Sequence, residues 1–143
     1  LGDQGIQVWG DPGWRCLTKH GVRFRGSAGH MEELSRIYNA ARIHVDIGRV
    51  YQLDIVTMRV FDVISCGGFV LADRNSALLE IFEDGTEIDT WITVEELKRK
   101  CEYYLANPEH AREIARRGRE RLLREHRIVD RVGEMLKVSG LVR

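Results

Sequence analysis

Charge of one sign, paired cysteines and long apolar runs are all missing from this chain of 143 residues. Lys and Arg number 22 and Asp and Glu number 22, so the formal net charge is zero. No whole-chain field therefore favours nucleic acid or a membrane surface. Cys16, Cys66 and Cys101 are odd in number, far apart and in no CxxC pair. They read as buried thiols in a reducing compartment, which makes cytoplasmic the expected location. No stretch approaches the roughly 18 apolar residues of a membrane span, and none in this sequence reads as a signal peptide. The five histidines fall in no metal spacing, and there is no HxxxH, no GxSxG and no Cys/His nucleophile pairing, so no metal is expected. Internal repeats and low-complexity segments are also lacking.

What is present is an ordinary globular composition. Apolar residues make up 43% and charged residues 31%, enough for one domain with a core. Charge is unevenly placed. From residue 98 onward 13 basic residues face 7 acidic ones, a net of +6; the first 97 carry 9 basic and 15 acidic, a net of −6. The acids of the basic tail are interleaved at helical spacing, so it reads as a solvated helix face rather than an interaction arm.

Along the chain, strands alternate with helices. Residues 6–9 are a short apolar run ended by the turn Gly10-Asp11-Pro12-Gly13, and residues 22–25 alternate and end at Gly26. Met31, Leu34, Ile37, Tyr38 and Ala41 recur at helical spacing. Residues 43–47 read as a third strand, 49–56 as a loop, 69–72 as a buried strand, 77–82 as a short helix and 90–92 as a brief extended segment. Thr93 with Glu96 forms a capping box. The helix it opens presents Val94, Leu97, Cys101 and Leu105. Asn107 is expected to cap the next helix, with Pro108 at its first position. That helix buries Ala111, Ile114, Ala115, Gly118 and Leu122, with Glu113–Arg117 and Glu120–Arg124 as pairs on its wet side. A last amphipathic stretch spans 128–138. This alternation predicts an α/β fold, a parallel sheet with helices on its faces and C-terminal helices.

Residues 54–72, DIVTMRVFDVISCGGFVLA, carry the most chemical information. Asp54 lies in a loop, a helix starts near Thr57, and Asp62 follows eight positions after Asp54. A helix N-terminus offers unpaired N–H groups and a favourable dipole to phosphates, and carboxylates accept hydrogen bonds from sugar hydroxyls. The plainer reading makes Asp54 a loop acid and Asp62 a solvated helix position. Against it, the neighbours Val60, Phe61, Val63 and Ile64 leave Asp62 hardly any polar face. Arg59 in the first turn either pairs with Asp62 or waits for an anion. The turn 10–15 is not GxGxxG and lacks the lysine of a P-loop, so a tight strand-to-helix turn is favoured. His30 reads as capping or exposed, and Trp91, Tyr103 and Tyr104 as core and helix packing.

The order of these features resembles the C-terminal domain of GT-B glycosyltransferases, specifically the group 1 enzymes and their spore-maturation-protein branch. The matching segments are IQVWGDPGW, VRFRG followed by MEELSRIYNAARIHVDI, TMRVFDVISCGGFVLADRNSALLEIFEDG, and YYLANPEHAREIARRGRERLLREH. The resemblance implies a Rossmann-like three-layer sandwich over residues 1–143, one nucleotide-sugar-binding domain of a longer two-domain enzyme. It implies sugar transfer from a nucleotide-diphospho-sugar, with Asp54 at the sugar and Asp62 at the ribose hydroxyls. Both are Asp rather than Glu, one methylene shorter than the family's acids. The backbone of Val56, Thr57, Met58 and Arg59 would hold the diphosphate, and Leu79 and Glu80 would face the donor. Leaving-group charge would be met by the helix N-terminus and Arg59, with no cofactor. An N-terminal domain would supply the acceptor side, so the chain alone is expected to bind a donor without turnover. A non-catalytic α/β interaction module that kept the fold is the alternative. A receiver-like signalling domain is disfavoured, because its acid cluster and late lysine are not found.

Overall fold

The computed structural model describes residues 5–48 and 54–141. Part of the expected loop over 49–56 lies outside them. Two compact units divide the chain, residues 1–37 and 38–143.

In the first unit, β1 (Gln7–Val8) pairs in parallel with β2 (Arg23–Phe24). The connection holds a 3-10 helix, Pro12–His20, where a tight turn was expected. Its stop and start signals are local. The Asp11 carboxylate accepts from Gly13 N–H, Pro12 opens the helix, and Gly21 ends it at φ +81°, where an L side chain would be strained. Cys16 is exposed on this helix, which corrects the expectation of three buried thiols; Cys66 is half-buried and Cys101 buried. The helix α1 (Glu32–Ala40) then runs into the second unit.

The second unit is built on a parallel sheet, β3 (His44–Asp46), β4 (Val70–Asp73) and β5 (Asp89–Trp91), in the order β3-β4-β5. Helices α2 (Met58–Ser65), α3 (Ser76–Ile81), α4 (Val94–Ala106), α5 (Pro108–Glu125) and α6 (Ile128–Val138) connect and follow the strands. The architecture is the parallel α/β arrangement with C-terminal helices that the alternation predicts, and it agrees with the Rossmann-like fold that the resemblance implies. Val60, Val63 and Ile64 of α2 lie in one core with Val70, Ala72, Leu78, Phe82, Ile88 and Leu122. Each of these side chains larger than Ala72 contributes on the order of 1.5–3 kcal/mol.

The polar groups around β5 are satisfied, whereas Arg121 Nε and His126 Nε2 are buried without a hydrogen-bond partner among the described residues. Asp89 accepts from Tyr104 Oη at 2.6 Å and from Lys100 Nζ at 2.8 Å. Trp91 Nε1 donates to the Leu71 carbonyl at 3.3 Å. Trp91 and Tyr104 are therefore core residues, while Tyr103 is exposed.

Four local expectations change. Glu96 takes only half of the capping box: its N–H donates to Thr93 Oγ1, but its carboxylate accepts from Ile92 N–H. Asn107 makes no side-chain cap to α5, because its amide donates back to the Tyr103 carbonyl. Glu113 does pair with Arg117, but Glu120 pairs with Arg116, and Arg124 turns to Glu125. Several rotamers of long exposed side chains compete there, and spacing alone does not choose among them. Val94 is exposed, whereas all five residues expected under α5 are buried.

Gly118 sets how closely α5 approaches the rest of the unit. A Cβ there would meet the Glu87 carbonyl oxygen at 2.2 Å. Gly118→Ala is expected to destabilise the fold by about 1–3 kcal/mol through overpacking. Gly133→Ala on α6, with nothing within 4 Å, should instead stabilise by about 0.5–1 kcal/mol. Urea unfolding of the two variants checks the contrast.

His44 is half-buried, and its Nε2 lies 2.8 Å from the Tyr38 carbonyl, to which it donates. Burial pushes its pKa below the ordinary 6.5. The unfolded chain therefore binds this proton first. Stability from His44 is complete above about pH 6.5 and falls, at up to about 1.4 kcal/mol per pH unit, toward the lowered folded value. Urea midpoints between pH 5 and 7.5 should show that fall, reduced in His44→Gln.

Candidate functional site

In open parallel sheets, ligands bind outside the carboxyl ends of the strands. Here those ends are Asp46 on β3, Asp73 on β4 and Trp91 on β5. Short apolar strands followed by polar residues bring the loops before α2 and α3 to this edge.

Asp46 organises the corner. It is buried, at 8% exposure. Its Oδ1 accepts from Arg59 Nε at 2.9 Å and Arg59 Nη2 at 2.8 Å, and from Thr57 Oγ1 at 3.2 Å. Arg59 Nη2 also donates to the Ile47 carbonyl at 3.3 Å. A buried carboxylate is costly unless paired, and Arg59 and Thr57 supply the pairing. The guanidinium remains 57% exposed and lies along the start of α2.

Thr57 is the N-cap residue of α2, as its position predicts, but no side chain caps the helix. Its hydroxyl is turned to Asp46. Among the described residues the N–H groups of Met58 and Arg59 have no cap acceptor, so the N-terminus keeps donors and a positive dipole end. Met58 itself is exposed.

Asp54 is exposed, and its Oδ1 accepts from Ser76 Oγ at 2.7 Å. That bond ties the loop before α2 to the first turn of α3. Gly48 lets the loop pass Asp73, whose Oδ2 would lie 3.0 Å from a Cβ there. Asn75 caps α3 by accepting from Leu78 N–H at 2.8 Å.

Asp62 is half-buried on α2 and faces Tyr38. Burial first, and then the Asp62 charge, raise the Tyr38 phenol above its ordinary range, so it stays a protonated donor beside that carboxylate. Among the described residues no hydrogen bond or ion pair engages the Asp62 carboxylate. Arg59 does not pair with it; Asp46 takes that role.

The structure thus brings together Thr57 and Arg59 on Asp46, joins Asp54 to Ser76, and sets Asp62 beside Tyr38. Glu80 and Leu79 are exposed on α3 and border a shallow hollow with Phe82 and Arg121. A larger cleft, of about 310 Å³, lies at the opposite, amino edge of the sheet, lined by Tyr38, Arg42, Gly68, Phe69, Tyr104 and Arg112. The carboxyl edge is nevertheless the candidate, because the open helix N-terminus and the charged groups converge there. No group of three or more metal-ligating side chains occurs among the described residues. Asp46, Asp73 and Ser76 were missed from the sequence. An acid closing an apolar strand just before a glycine, as in HVDIG, is the signal that points to Asp46.

The Glycosyl transferase-like family profile matches residues 1–137, and the chain belongs to that family. Comparison with curated proteins returns no match. No helix among the described residues is long and apolar enough to cross a membrane.

The Asp46 cluster carries a stability prediction. Asp46→Asn keeps the shape and removes the charge that Arg59 and Thr57 address. A loss of about 1–2 kcal/mol is expected, below the value for a fully buried pair because Arg59 is half-exposed. Urea unfolding at pH 7 measures it; an unchanged midpoint would remove Asp46 from its organising role.

Proposed function

We propose that this glycosyl transferase-like chain is the donor-binding part of a GT-B, group 1 enzyme of the spore-maturation-protein branch. Its ligand is a nucleotide-diphospho-sugar, and the reaction is transfer of a hexose. The observation that carries the reading is the start of α2. It opens at the carboxyl edge of the parallel sheet with no side-chain cap and with Arg59 laid along it. Backbone N–H groups there suit a diphosphate, and the exposed guanidinium suits its charge.

The roles follow the chemistry of each group. The N–H groups from Thr57 to Arg59 hold the diphosphate and meet the charge that grows on the leaving group as the glycosidic bond breaks. Arg59 is already oriented by Asp46, so little side-chain freedom is lost when an anion arrives. Asp54 addresses the sugar and Asp62 the ribose hydroxyls. Glu80 borders the donor. No metal or cofactor takes part. The acceptor side belongs to a second domain of a cytoplasmic enzyme.

A second reading, a non-catalytic module that kept the fold, draws on one observation. Arg59 and Asp54 already have protein partners, Asp46 and Ser76. Such engagement stabilises the corner without any ligand.

Titration calorimetry with uridine and guanosine diphosphates separates the two. The donor reading expects binding that weakens about tenfold in Arg59→Ala and in Asp62→Ala, a loss of about 1.4 kcal/mol each. Unchanged affinity in Asp62→Ala would take that residue out of the site. Absence of binding by either nucleotide would favour the interaction module.

A further inference from the structure

The last helix is joined to its unit through a histidine. His126 closes α5 and begins the turn into α6. Its Nδ1 lies 2.8 Å from Nη2 of Arg131. A guanidinium only donates, so Nδ1 is the acceptor and the ring proton of a neutral imidazole sits on Nε2. Nε2 is itself buried and has no hydrogen-bond partner among the described residues. The ring lies against Phe82, centroids 5.9 Å apart, and Phe82 belongs to the core.

Little else holds α6 down. It buries no residue, and Ile128 and Met135 are 77% and 71% exposed. Burial of apolar surface therefore contributes little to its docking. Its own start is capped independently: Arg127 N–H donates to Asp130 Oδ2 at 2.9 Å, and the Arg127 guanidinium pairs with the same carboxylate. Helix formation and helix docking thus rest on different contacts.

The charged groups acting on the imidazole are Arg121 and Glu125 from α5, and Arg131, Glu134 and the cap acid Asp130 from α6; from the end of α3 comes the uncharged Phe82 ring. Glu125 is itself paired with Arg121 and Arg124, and Glu134 with Arg131.

We propose that the α5–α6 joint is a proton-operated latch, closed when neutral His126 accepts from Arg131 and opened when a proton from solvent occupies Nδ1. Protonation removes the acceptor and sets an imidazolium beside two guanidiniums. The first turn of α6 then leaves α5, and the undocked 11-residue helix, too short to be stable alone, frays beyond its Arg127–Asp130 cap. Burial first, and then Arg131 and Arg121, hold the His126 pKa below the ordinary 6.5. The latch is therefore fully closed above about pH 6.5 and opens as pH falls through the lowered value.

Hydrogen exchange of the full chain between pH 7.5 and 5, corrected for intrinsic rates, tests the latch beside an NMR titration of His126. In the wild type, protection of residues 128–138 relative to α5 is expected to fall at least tenfold as His126 titrates. His126→Asn keeps an acceptor that does not titrate, so its α6 should stay protected at both pH values. Arg131→Leu should expose α6 at both. Wild-type protection that stays level through the His126 titration would overturn the proposal, and so would the same step in His126→Asn.

Discussion

The second unit depends on the burial of one short helix. Helix α2 turns Val60, Val63 and Ile64 inward, and those three side chains join β4, α3, the chain before β5 and α5 in a single core. Helices shorter than about 12 residues are marginal alone, so this eight-residue segment is held by tertiary packing. Gly118 completes the arrangement by bringing α5 against the Glu87 carbonyl. With its apolar face fixed, the rotation of α2 about its axis is also fixed. Arg59 and Thr57 are then presented to Asp46, and Asp62 to Tyr38.

That rotation produces the chemistry of the corner. Asp46 sits where β3 ends, so its carboxylate is largely removed from water and draws in the nearest donors. The Thr57 hydroxyl goes to it rather than to the helix. The same geometry that satisfies a buried acid therefore leaves the helix N-terminus open. The Arg59 side chain is thereby held in place by Asp46.

Much of this was legible in the residues. Among the described residues the five strands are short and the helices between them amphipathic, and period and turn chemistry located all of them except the 3-10 helix after Asp11. That helix offers only Trp14 and Leu17 as an apolar spacing, and its other signals are a capping acid and a proline, which a turn shares. The buried face of α5 was legible at every position because a long helix repeats its pattern five times over. The partner of Arg59 was not. Spacing proposes Asp62 at i+3, but Asp46 comes from 13 residues away in sequence. The ion pairs of α5 were half legible: Glu113 takes both basic neighbours that spacing offers, Arg116 and Arg117, whereas Glu120 has Arg116, Arg117 and Arg124 within that spacing and pairs with Arg116. Cys16 was misplaced because burial of a thiol is a compositional tendency, and an exposed 3-10 turn overrides it.

By itself, the sequence determined the α/β class, the parallel alternation, the start of α2 near Thr57 and the family pattern that spans the chain. These are consequences of local periodicity, glycine and proline placement and the order of segments, none of which needs a distant contact. The tertiary structure alone decided that Asp46 holds Arg59, that Asp54 meets Ser76, and that His126 accepts from Arg131. Each joins a flexible polar side chain to one partner among several within reach, and only the packed core around α2 and α5 sets which lies at bonding distance.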